Sequence, residues 1–377
     1  MERIFYLDNA ATTKMFDEVK ERASKFLCED FFNPSAVYKQ SVDVKREVEN
    51  ARGFLLDCLG ASHDDKLIFT GSATEANNTV IFSQRNFAGK RYLFGAGEHP
   101  SVKECAKQLE MKGYEVEFIP LDKSGRVDEE KFKQMLGSDV AFVSVQHVSN
   151  ETGAVNNIKK LVTLAKRANK DVKFHSDGVQ AFMKFPIDVT DLGVDYYTIS
   201  AHKIGGMKGV GALYVKKGTK VNTLIFGGGQ ENGLRSGTEN VFGIASFAYA
   251  AEKMRKEQKQ NFEKVKKMRE ELLSAFKENG IEYVIHGESG VPHTMNIMLE
   301  KSIRGETLVH ALEKRGVLLS TGSACSATKH FNSTLEAMGV PNSEILASVR
   351  ISISPYMDFD AKLIAKIVKE EIDKLKG

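Results

Sequence analysis

Lys203 stands where a solvated lysine would be out of place. The run Asp195-Tyr-Tyr-Thr-Ile-Ser-Ala-His-Lys-Ile-Gly-Gly-Met-Lys-Gly-Val-Gly-Ala-Leu-Tyr214 begins as a strand, with aromatic and β-branched residues. It stops at Ser200, Ala201 and His202, presents Lys203, and continues through Gly205, Gly206, Gly209 and Gly211. An amine between a strand end and a glycine-rich turn suits Schiff-base chemistry, which needs it neutral part of the time. Asp177, in Phe174-His-Ser-Asp-Gly-Val-Gln180, closes another apolar strand. Alone it reads as a helix cap. Beside Lys203 it reads as the buried acid that keeps a pyridine nitrogen protonated. Together they point to pyridoxal 5′-phosphate on Lys203, with Gln180 one turn on, near the phenolic oxygen.

Other polar groups fit the same ligand. Ser200 and His202 can donate to a phosphate. Gly71-Ser-Ala-Thr-Glu-Ala-Asn-Asn78 leads a strand into a helix, where free N–H groups and the helix dipole favour an anion. Ser72 and Glu75 fit a capping box equally well. His99, in Gly97-Glu-His-Pro100, follows a strand and could stack on a ring or move protons near neutral pH. Arg350 lies inside the strand-like Val349-Arg-Ile-Ser352; its planar fork calls for a carboxylate, from a ligand or from a structural ion pair.

Cys325 sits in Ser320-Thr-Gly-Ser-Ala-Cys-Ser-Ala-Thr328, a small-residue run that cannot bury a thiol well. A displayed thiol that can be deprotonated is a nucleophile. The other cysteines, Cys28, Cys58 and Cys105, fall in helical patterns and read as core.

The elements that must position these groups alternate. Strands are expected near 65–70, 92–94, 115–119, 140–145, 173–175 and 196–199. Helices are expected near 16–27, 41–59, 101–112, 129–136 and 158–168. Such alternation argues for a mostly parallel sheet covered on both faces, with ligands at the carboxyl ends of the strands. Each polar cluster just described follows a strand. From Val241 to Asn279 the pattern is helical and rich in Lys, Glu and Gln. It leads into a smaller α+β region ending in a helix with Leu363, Ile364, Ile367, Val368, Ile372 and Leu375 at helical spacing.

Composition narrows the alternatives. The net charge of +3 gives no reason to expect direct nucleic-acid binding. The four cysteines form no C-x-x-C pair and no disulfide-like framework, which favours a reducing cytoplasm and no zinc or other metal site. The first residues have no long apolar core of a signal peptide, and no apolar run is long enough to cross a bilayer.

Taken together, these segments resemble the cysteine desulfurases, PLP enzymes of the class V aminotransferase-like group. The resemblance runs from Tyr6-Leu-Asp-Asn-Ala-Ala-Thr-Thr13 to Val349-Arg-Ile-Ser352. Its most specific pieces are Ser200-Ala-His-Lys203, Leu234-Arg-Ser-Gly-Thr238 and Ser320-Thr-Gly-Ser-Ala-Cys325. It implies the type I fold of PLP-dependent transferases: a large α/β domain with a mostly parallel, seven-stranded-type sheet between helices, plus a smaller α+β domain. Residues 14–255 would form the large domain, and 1–13 with 256–377 the small one carrying the Cys325 loop.

By position, the resemblance makes Lys203 the Schiff-base lysine, Asp177 the pyridinium partner and His99 the ring-stacking residue. Gln180 would bind the phenolic oxygen, and Ala73, Thr74, Ser200 and His202 the phosphate. Asn150 would touch cofactor and substrate, fixing the substrate carboxylate with Arg350. Thr238 would reach the phosphate of a neighbouring subunit in a homodimer. Cys325 would take sulfur from L-cysteine as a persulfide, leaving L-alanine, and pass it to an acceptor protein (a cluster scaffold or a sulfurtransferase) for iron–sulfur clusters, thiolated tRNA or another thio-cofactor. The alternative reading on the same cofactor is a selenocysteine lyase or an aminotransferase-like enzyme. Gly178 departs from the family pattern, where alanine is usual.

Overall fold

A computed structural model describes residues 3–84, 90–287, 290–322 and 333–377. The first half of the chain runs β1 (Phe5–Tyr6), α1 (Asp17–Ala23), α2 (Lys25–Cys28), α3 (Lys39–Cys58), β2 (Lys66–Thr70), α4 (Ala73–Ser83), β3 (Arg91–Gly95), α5 (Pro100–Met111), β4 (Glu115–Ile119), α6 (Glu129–Met135), β5 (Val140–Ser144), α7 (Ile158–Ala168), β6 (Lys173–Asp177), α8 (Val189–Leu192), β7 (Tyr196–Ser200) and β8 (Gly211–Val215). After it come α9 (Val241–Glu278), β9 (Val284–His286), β10 (Thr294–Met298), α10 (Gly305–Glu313), β11 (Val317–Leu318), α11 (Ser333–Ala337), α12 (Asn342–Ala347), β12 (Ser348–Ser352) and α13 (Ala361–Lys376).

Among the described residues, the main sheet has seven strands in the order β2-β8-β7-β6-β5-β3-β4. Neighbours from β7 to β4 pair in parallel. β8 pairs antiparallel with both β7 and β2, so β2 runs with the rest and β8, among these strands, is the reversed one. The reversal has a local cause. No α-helix separates β7 from β8; after a single 3-10 turn, Ala201–Lys203, the chain turns back through Gly205 and Gly209, with φ of +83° and +82°. A side chain on Gly205 would also strike the Phe16 ring, 2.3 Å away.

Two hydrophobic cores share α9. Ile244, Phe247, Ala251 and Met254 join the core of the main sheet, which includes Leu93, Val143, Phe174 and Tyr197. Val265, Met268 and Leu272 join a second core with Phe5, Leu7, Ile297 and Ile351. Each set repeats at three or four residues, the spacing of one helix face. The second core packs against a three-stranded sheet, β12-β10-β9.

One expectation fails. Cys28 is exposed, whereas Cys58 and Cys105 are buried as expected. The 16–27 helix breaks after α1, and in the short α2 Phe26 takes the inward position. No helix among the described residues is long and apolar enough to cross a membrane.

Candidate active site

The carboxyl ends of β2, β3, β5, β6 and β7 meet on one edge of the main sheet. A cleft of about 500 Å³ opens there, lined by Ala73, Thr74, His99, Asp177, Lys203 and Arg350. Asn150, Gln180 and His202 line it as well. Strand pairing brings the groups together: Asp177 on β6 lies opposite Thr198 on β7, and Lys203 follows three residues beyond the end of β7. β12 contributes Arg350 by alternation. Val349 and Ile351 point into the second core, so Arg350 faces the other way.

Each charged group in the cleft is held by named partners. Lys203 Nζ donates to the carbonyl oxygens of Ala10 and Ala11, at 2.6 Å each. That N-terminal segment is anchored where Thr13 N donates to His202 O at 2.9 Å. Asp177 is buried, and its carboxylate accepts from Asn77 Nδ2 at 2.8 Å and from Val179 N at 3.0 Å. Gln180 Nε2 donates to Ala10 O at 3.0 Å, while Lys184 Nζ donates to Gln180 Oε1 at 2.6 Å. Arg350 is shared by Asp8 at 2.9 Å and Glu151 at 3.3 Å, so the ion-pair reading holds for a residue that also faces the cleft. Its Nε is buried without a partner among the described residues.

Burial sets the protonation chemistry. Lys184 is pushed down to about 7 by desolvation, with Lys203 and Arg350 adding repulsion. His202 is lowered to about 4, first by desolvation and then by Lys203. His99 opens onto the cleft yet is flanked by protein, and desolvation lowers it against the pull of Asp177. Glu98 rises well above the carboxylate range, because it is fully enclosed; its Oε1 accepts from Gln146 N at 2.5 Å.

The structure sorts the remaining expected positions. Both readings of the Gly71–Asn78 segment apply. Ser72 Oγ accepts from Glu75 N at 3.1 Å and Glu75 accepts from Gly71 N at 2.8 Å, while Ala73 and Thr74, in the first turn of α4, face the cleft. Ser200 is buried at the end of β7. Thr238 is exposed and lines a separate hollow of about 120 Å³ with Gly71 and Arg235. Cys325 lies outside the described residues. Gly178 is explained by Tyr197, whose ring would lie 2.0 Å from a Cβ there.

Sequence reasoning missed Asp8, Glu151, Asn77, Ser101 and Lys184. Lys184 left a signal, a lone lysine in Ala181-Phe-Met-Lys-Phe185.

Over residues 5–361 the chain matches the class V aminotransferase family. It is 36% identical over 383 residues to the cysteine desulfurase IscS of Dictyoglomus turgidum, covering 100% of this chain and 96% of that one. The chain belongs to the cysteine desulfurase family. It is also 35% identical to the cysteine desulfurase NifS of Azotobacter vinelandii, over 98% of this chain and 90% of the other. Among solved structures, a NifS-like protein superposes with a TM-score of 0.91 at 32% identity, covering 99% of this chain and 100% of that one.

Pyridoxal 5′-phosphate is the cofactor of this family, and the donor set here fits it. A buried carboxylate, an amine and the first turn of a helix converge on a space of suitable size. Gly211 makes the helix approach possible: a Cβ there would lie 2.7 Å from Ala73 N.

Proposed function

We propose that this protein is a cysteine desulfurase that converts L-cysteine to L-alanine and keeps the released sulfur as a persulfide on Cys325. The observation that carries this reading is the placement of Lys203 and Asp177 at the ends of the neighbouring strands β7 and β6, in one cleft. When bound, pyridoxal phosphate supplies an electron sink for charge developing at the substrate α carbon.

The chain's own residues do the rest. Lys203 anchors the cofactor and moves the α-proton. Asp177 keeps the ring nitrogen protonated, and Asn77 and Val179 N hold its carboxylate in place. Ala73, Thr74, Ser200 and His202 hold the phosphate. Gln180 binds the phenolic oxygen through its N–H₂ group, because Lys184 occupies its carbonyl. His99 covers the ring face. Asn150 and Arg350 bind the substrate carboxylate. The Cys325 thiolate attacks the substrate sulfur; the new S–S bond forms as the C–S bond breaks, and the carbon product leaves as alanine.

A homodimer belongs to this reading, with Thr238 serving the partner's phosphate. Thr238 lies outside its own chain's cleft. Nearby Phe226 is 82% exposed on the loop that Ser236 N ties to Ile225 O, as an interface residue would be. The sulfur then passes to an acceptor protein in the cytoplasm, for iron–sulfur clusters or another thio-cofactor.

The test incubates purified holoenzyme with cysteine, measures alanine, and weighs the Cys325 peptide. Alanine without any keto acid, with a gain of one sulfur on that peptide, is expected. Alanine formation that depends on a keto acid would replace this reading with an aminotransferase.

A further inference from the structure

A chain of side chains leads from Asp177 to His99. Asn77 Nδ2 lies 2.8 Å from Asp177 Oδ2 and 2.9 Å from Ser101 Oγ. Ser101 Oγ lies 2.8 Å from His99 Nδ1, and Ser101 N donates to the same Nδ1 at 3.1 Å. We infer that Asn77 and Ser101 are positioning residues that hold the His99 imidazole in one tautomer, with Nδ1 as acceptor and the proton on Nε2, facing the cleft.

The direction of each bond follows from its neighbour. A carboxylate only accepts, so Asn77 must turn its NH₂ to Asp177. The second hydrogen of that NH₂ goes to Ser101 Oγ. The hydroxyl proton of Ser101 is then left for His99 Nδ1, which already accepts the Ser101 backbone N–H. A nitrogen accepting two such bonds has no room for a proton of its own. Asn77 Oδ1 is buried without a partner among the described residues, so the amide is held by its donors. Turning it over would set that oxygen against Asp177.

The inference rests on His99 belonging to the cofactor cleft, and it sharpens the role of His99. Taking up a proton would require Nδ1; it would set that proton against the Ser101 backbone N–H and force the Ser101 hydroxyl to turn from donor to acceptor. His99 therefore stays neutral and offers an N–H to the cleft, leaving the α-proton to Lys203. The titratable and charged groups around it are Asp177 on β6, Lys203 and the neutral His202 after β7, and Arg350 on β12. Desolvation lowers its pKa, as a neutral ring requires.

The test is nitrogen NMR on holoenzyme labelled with ¹⁵N-histidine, with the His99 signals identified by their loss in His99→Gln. Wild type is expected to show an unprotonated Nδ1 and a protonated Nε2 at pH 8. Ser101→Ala removes a bond made to the neutral ring, so its titration midpoint should rise by about one pH unit. Ser101→Thr should restore it. Asn77→Ala should shift it the same way by less, which covers a failure of Ser101→Ala to fold. A proton on Nδ1 in wild type, or midpoints unmoved in the variants, would overturn the inference. Failure of the desulfurase reading has its own signature: wild type that forms no alanine from cysteine.

Discussion

Arg350 Nη2 donates to Asp8 Oδ1 at 2.9 Å, joining residues 342 positions apart. The same guanidinium holds the buried Glu151. A substrate carboxylate arriving at Arg350 thus meets a fork already shared by two acids. Asp8→Asn removes the competitor that faces the cleft. It is expected to lower KM for cysteine about five-fold, the scale of one ordinary net hydrogen bond, about 1 kcal/mol. Steady-state alanine formation checks this, and a raised KM would show that Asp8 aims the arginine instead.

Lys203→Ala removes the amine that Ala10 and Ala11 hold at the cleft. Alanine formation should fall to background. Borohydride treatment, which should fix cofactor mass on the Lys203 peptide of wild type, should add none to this variant. Mass spectrometry reads the difference directly.

Cys325→Ala tests the thiol without touching any group described in the cleft. The visible cofactor band should persist while sulfide release in the presence of a reductant is lost. Near wild-type sulfide release would end the role given to Cys325.

Lys184 gives a pH signature. Its pKa is about 7 in the folded protein and near 10.5 when unfolded, so between these values the unfolded chain binds more protons. Stability contributed at this site therefore rises with pH across that window and is lost as pH falls toward 7. Wild type should gain on Lys184→Met by at most about 1.4 kcal/mol per pH unit between pH 7 and 9. Urea unfolding of both proteins at pH 6, 8 and 9 measures the gap. A gap constant with pH would mean that Lys184 is not titrating there.

Much of the fold was legible because its signals are local. β4 and α7 fall on the bounds expected from residue pattern, and Ser72, His99, Asp177 and Ser200 each stand at or just after the end of a strand. The reversal of β8 was not legible. The sequence marks the glycine turn after Lys203, but not which neighbour the returning strand will pair with. Cys28 was misjudged for a related reason, since one break in a helix changes which residue faces inward.

From the sequence alone, the residue types follow: an amine, an acid and an imidazole at or just after the ends of strands, an arginine inside a strand-like run, and a thiol in a run of small residues. Those are properties of neighbours in the chain, where strand period and turn chemistry act. Only the tertiary structure decided what each group touches. It set Asp8 on Arg350, Lys184 behind Gln180, and Asn77 with Ser101 between Asp177 and His99. Such contacts depend on how parallel crossovers stack distant segments. Local periodicity carries no information about that stacking, so the sequence could name the chemistry but not the partners that tune it.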